Sequence, residues 1–131
     1  MGHTAWFRVE TPESPLNDDA DHSLMCRLAE QLDRLALESA TKPLSSFFDH
    51  SELAATYGGL ELELQWFDSR EGLATVDAIL RRLDESPEVL SFADRSRAHW
   101  RAALLKDLRA ARAFLAKASA SNERFHFLIV S

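Results

Sequence analysis

Leu24, Leu28, Leu32 and Leu35 recur every three or four positions, and Met25, Ala29 and Ala36 widen the stripe. That spacing places apolar side chains on one face of a helix. The helix is predicted to start near Asp19 or Asp21, where a carboxylate accepts unpaired amides and complements the helix dipole. It is expected to end before Pro43, because Lys42 ahead of it is pushed out of helical geometry. Leu73, Val76, Ile79, Leu80 and Leu83 mark a second helix. Asp68 is its expected N-cap, and Glu71 three residues on completes a capping-box pattern. Ser86-Pro87 stops this helix and can open a further turn. A third helix is predicted from about Asp94 to Ala118, with Trp100, Leu104, Leu108, Ala111 and Leu115 on one side.

Three other stretches carry strand patterns. Ala5 to Glu10 (AWFRVE) is rich in aromatic and β-branched residues and predicts a first strand. The closing NERFHFLIVS is apolar on both faces, which predicts a central strand. Between them, Leu60, Leu62, Leu64 and Trp66 alternate with Glu61, Glu63 and Gln65. This predicts a half-exposed edge strand at 60–66, whose acidic positions deter edge-to-edge association. Residues 43–59 read as a loop with one helical turn, capped at Ser51 and stopped by Gly58 and Gly59. The expected fold is therefore a single α+β domain over 1–131. About three amphipathic helices pack on a small sheet made by the N- and C-terminal strands, with the 60–66 strand at an edge.

A length of 131 residues suits one domain, and 46% hydrophobic with 27% charged residues is globular composition. Cys26 is the sole cysteine, so no internal disulfide can form. With no apolar leader, this predicts a cytoplasmic protein. The longest apolar run, near Phe125 to Val130, falls far short of the ~20 residues a membrane helix needs, so no membrane association is expected. Charge divides unevenly along the chain. Residues 1–94 carry 19 acids and 7 bases, whereas residues 95–131 carry 2 acids and 8 bases, within a net charge of −6.

No glycine pattern suits a phosphate loop, and no cofactor is expected. No closely spaced Cys or His pair supports zinc. Asn17, Asp18, Asp19, Asp21 and His22 superficially match a calcium loop but lack its turn glycine, so no metal is expected and the run reads as an acidic helix start. Asp49, His50 and Glu52 with Ser51 put carboxylates, an imidazole and a hydroxyl in one loop, the ingredients of general-base catalysis. A triad is defined by geometry, however, and loop packing explains the same residues. Trp66 and Asp68 could line a small binding pocket, while the simpler account makes Asp68 a cap and the aromatics a strand-to-helix anchor. His126 in FHFLIV reads as a hydrogen-bonded core histidine, and Cys26 as packing. Arg95, Arg97, Arg101, Lys106, Arg109, Arg112 and Lys117 make the third helix basic. Acidic neighbours within the fold or across a dimer account for them better than nucleic acid does, given the acidity of the rest.

The segment WFDSREGLATVDAIL, residues 66–80, resembles one in small bacterial proteins of unknown function. The resemblance implies no activity. The expected function is non-enzymatic: an acidic protein-interaction domain, such as an immunity- or inhibitor-type partner, binding another protein or a second copy and no nucleic acid. The alternative is a small enzyme or ligand-binding module that uses the 49–52 loop with Trp66 and Asp68.

Overall fold

The computed structural model describes residues 2–59, 61–86 and 99–131. Strand β1, Thr4–Val9, pairs antiparallel with β3, Phe125–Val130, from Thr4 opposite Val130 to Val9 opposite Phe125. Two residues, Phe48–Asp49, form β2 and lie parallel to β3 on its other side, giving the order β1-β3-β2. The terminal strand is central, as its two apolar faces predict. Loop residues close the free edge of β1. Phe7 and Asp18 exchange backbone hydrogen bonds, and the Asn17 side chain accepts from the Val9 amide. Covering an edge in this way removes a template for pairing with other chains.

The helical elements are α1 (Ser23–Arg27), α2 (Ala29–Glu38), α3 (Ser51–Leu53), α4 (Ser69–Glu85) and α5 (Trp100–Ala120). Ala5, Phe7 and Val9 on β1 and Phe125, Phe127 and Ile129 on β3 point toward the helices and are buried. There Phe7, Phe114, Phe125 and Phe127 pack ring against ring with centroids 5.1–6.3 Å apart. Leu104, Leu108, Ala111 and Leu115 of α5 and Val76, Ile79 and Leu83 of α4 complete the core. The result is α+β, with helices on one face of a small mixed sheet.

Several expectations change in detail. The predicted first helix is two, broken at Leu28 (φ −105°, ψ 14°), although its apolar stripe runs on unbroken through Met25, Leu28, Leu32 and Leu35. Helix α2 stops at Glu38, well before Pro43. Ala40 takes a left-handed conformation and the Thr41 amide reaches back to the Ala36 carbonyl, a backbone-closed terminus. The turn at Ser51 forms and gives way to a wider one, Ala54–Gly58, ended by left-handed Gly59. The Ser51 turn has His50 rather than Ser51 at its N-cap, and Asp49 ahead of it accepts from the Ser51 amide through Oδ1 at 2.8 Å. Asp68 caps α4 as expected, accepting from the Arg70 amide at 2.8 Å. Glu71 pairs with Lys42 instead of completing a capping box. Leu60, the turn after Pro87 and the 94–98 start of the third helix lie outside the described residues.

The edge strand expected at 60–66 does not form over 61–66; β2 occupies the sheet edge instead. Only Phe67 joins the sheet, in an antiparallel bridge with Phe125. Side chains replace the ladder just before it: the Gln65 amide donates to Asp49 at 2.7 Å, and its carbonyl accepts from His126 at 2.7 Å. Leu62 and Leu64 stay 55% exposed, so the alternation that predicted a strand marks no buried face.

Candidate functional site

Strand alternation that buries the phenylalanines on one face of the sheet sends Trp6, Arg8, His126 and Leu128 to the other. Among the described residues the 64–66 stretch crosses part of this outer face, where Trp6, Arg8 and Leu128 stay partly exposed. The Trp66 ring lies flat on His126, with centroids 4.0 Å apart and planes 7° apart. His126 is thereby only 2% exposed. Because a carbonyl can only accept, the 2.7 Å contact between His126 Nδ1 and the Gln65 carbonyl places the proton on Nδ1. In the neutral ring the lone pair is then on Nε2. Burial, joined by the charge of Arg8, holds the His126 pKa below its usual range, against the opposing pull of the Gln65 carbonyl and Asp49.

Asp49, 3% exposed, sits beneath this pair. Burial opposes its charge, but the Gln65 amide, the Ser51 hydroxyl and amide, and nearby His126 at 3.6 Å outweigh it and keep the carboxyl below its usual range. Asp49 is therefore an ionised strut joining β2, α3 and the 65–67 stretch. Arg8 pairs with Asp19 and lies over the Trp6 ring at 5.1 Å. Beside His126 and Trp66 opens a cleft of about 410 Å³, walled by Arg8, Glu10, Pro12, Asn17, Leu64 and Leu128.

The sequence-derived candidates separate. Asp49 turns inward to His126, whereas His50 faces outward with its ring against the edge of Phe48, at 6.2 Å. His50 lines a second cleft of about 330 Å³ with Ser51, Leu62 and Glu63. Glu52 is exposed on α3 and lines neither cleft. Trp66 lines the outer-face cleft, but Asp68 stays exposed at the start of α4. The imidazole beside Asp49 is thus His126, and its Nδ1 is committed to a backbone carbonyl rather than to a nucleophile.

The acidic run near residue 20 is built into the fold. Asn17 holds the Val9 amide, Asp19 pairs with Arg8, and Asp21 accepts from Thr4 and from the Ser23 amide. His22 contacts Asp18 and Asp107 through its two nitrogens, each at 3.3 Å, and stacks on Phe7 at 4.0 Å. Among the described residues no cluster of His, Cys, Asp or Glu could hold a metal ion. Burial, with the charges of Asp107 and Asp21, pushes the Cys26 thiol up to about 11, which removes it as a thiolate nucleophile. On α5, Arg112 pairs with Asp77 at 2.6 Å and Arg101 donates to the Leu83 carbonyl. These two arginines, with Arg81 and Arg109, line a groove that also contains Asp77 and Asp84. No described helix is long and apolar enough to cross a membrane.

Sequence reasoning missed both buried histidine pairings, Asp49 with His126 and Asp107 with His22. Their partners lie far apart in the chain, and the one available signal was a histidine inside an apolar strand. Fold and site together define an α+β protein whose small mixed sheet has a partly open outer face. The chain matches no protein-family model, no curated protein and no solved structure.

Proposed function

We propose that the protein is a non-enzymatic, immunity- or inhibitor-type partner that docks a basic protein through its acidic, leucine-bearing stretch at 61–65. The observation that carries this reading is the exposure of Leu62 and Leu64, 55% each, between the exposed carboxylates of Glu61 and Glu63. Apolar anchors rimmed by charge suit a protein interface, because the anchors supply burial while the rim sets orientation and on-rate. A net charge of −6 favours a basic partner and repels polyanions. A second copy would bring the same carboxylates face to face across a twofold axis, which disfavours a homodimer through this stretch.

The test uses a photo-crosslinking residue at Leu62, with the exposed Leu37 of α2 as the control position. Crosslinking in the source cells should yield one saturable adduct with a basic protein at position 62 and none at 37. With that protein purified, E61K/E63K should weaken its binding at least tenfold. Equal adducts at both positions, an acidic adduct, or indifference to charge reversal contradicts the proposal.

A further inference from the structure

The cleft on the outer face of the sheet contains one feature that packing does not use. His126 is almost wholly buried, and its Nδ1 is satisfied by Gln65. Its Nε2 has no hydrogen-bond partner among the described residues, where no fully buried polar side-chain atom is left unpaired. The unpaired nitrogen is therefore open to the cleft it lines rather than sealed in the core. An imidazole nitrogen kept open at the wall of a largely apolar cleft is a place where a ligand atom can replace water.

The chemistry of the walls selects that ligand. With Nδ1 carrying the proton, a neutral His126 offers only a lone pair at Nε2, so it accepts and does not donate. A carboxylate or phosphate would meet that lone pair with its own. An ammonium group would face the guanidinium of Arg8, while the Glu10 carboxylate in the same wall is already held by Arg124 in a two-pronged pair. Pro12, Leu64, Leu128 and the Trp66 ring provide apolar surface for a flat body, and about 410 Å³ accommodates one or two rings. We propose that this cleft binds a neutral hydroxylated aromatic molecule, its ring against Trp66, Leu64 and Leu128 and its hydroxyl donating to His126 Nε2. The inference does not rest on docking at 61–65, and Asp68 has no part in it.

2-Naphthol is a suitable probe, with 2-methoxynaphthalene as the same body without the donor and 2-naphthoate as the anion. Binding to the intact chain at pH 7.5 is measured by calorimetry, and the His126 Nε2 resonance by nitrogen NMR. The expected results are saturable binding of 2-naphthol, at least tenfold weaker binding of the other two, and a shift of the Nε2 resonance on binding. Affinity should also fall on acidification as His126 takes up its second proton, with Arg8 opposing that uptake and Asp49 favouring it. His126→Phe should abolish the preference for the hydroxyl. Leu128→Trp fills the cleft from a position beside Asp49, so it should abolish binding while urea unfolding shows the protein folded and an unmoved His126 Nδ1 resonance shows the Gln65 contact intact. Equal binding of 2-naphthol and 2-methoxynaphthalene, an unmoved Nε2 resonance, or no binding of 2-naphthol at millimolar concentration would each overturn the proposal.

Discussion

His22 and His126 are both buried and both stacked flat on an aromatic ring, yet their surroundings push them in opposite directions. Burial opposes charge on His22, but hydrogen bonds and charges from Asp107 and Asp18 outweigh it and raise its pKa above 6.5. Burial dominates at His126 and lowers its pKa below 6.5. A raised folded-state pKa contributes stability that is present below the unfolded value and lost as pH rises through the folded one. A lowered histidine pKa does the reverse: its contribution is present above the unfolded value and lost as pH falls. Urea unfolding of His22→Gln between about pH 5.5 and 8 should therefore show stability climbing with pH more steeply than in the parent. For His126→Gln it should climb less steeply or fall. Slopes that change in the same direction in both variants would contradict these assignments. Neither histidine's pairing was legible in the sequence, because Asp107 reaches His22, and Gln65 and Asp49 reach His126, from distant elements. His126 could be read as a core histidine; its open nitrogen could not.

At the scale of elements, periodicity located the helices and the terminal strands well. The burial of Leu104, Leu108, Ala111 and Leu115 follows the stripe read from the sequence. Strand β2 was not legible, since two residues inside an apolar FFDH run carry no period. The alternation at 60–66 misled because it reports a pattern of side chains and not whether an edge is free to receive them. Close helix–sheet packing was also hidden, and Gly72 provides its test. An added Cβ there would lie 2.4 Å from Cζ and 2.6 Å from Cε1 of Phe125, and 3.2 Å from Leu115 Cδ2. Phe125 is fully buried among Phe47, Phe67, Phe114 and Phe127, so its ring has little room to turn. Alanine favours a helix over glycine by up to ~1 kcal/mol, but overpacking a core costs about 1–3 kcal/mol. Gly72→Ala should lower the unfolding free energy by about 1–2 kcal/mol in denaturant titration. A gain in stability would show that α4 and β3 are less tightly apposed than described.

For the whole molecule, the division of charge between the two parts of the chain is partly resolved by the fold itself. Arg112 meets Asp77 and Arg124 forms a two-pronged pair with Glu10, so bases of the C-terminal part face acids of the N-terminal part. Surface pairs of this kind add little stability, but they draw cationic groups toward acidic neighbours. Glu61 and Glu63, by contrast, have no pairing partner among the described residues and flank exposed leucines. Among the described residues, 61–64 lies outside the sheet as exposed surface, and the chain is tied down just beyond it, where Gln65 meets Asp49, Trp66 stacks on His126 and Phe67 meets Phe125. Amide hydrogen exchange resolved by residue tests this directly. The predicted result is slow exchange at Gln65 and Phe67, whose amides donate at 2.7 and 2.8 Å, with near-unprotected rates at Glu61, Leu62, Glu63 and Leu64. Alternating protection continuing through 61–64 would place a paired strand there and contradict the account.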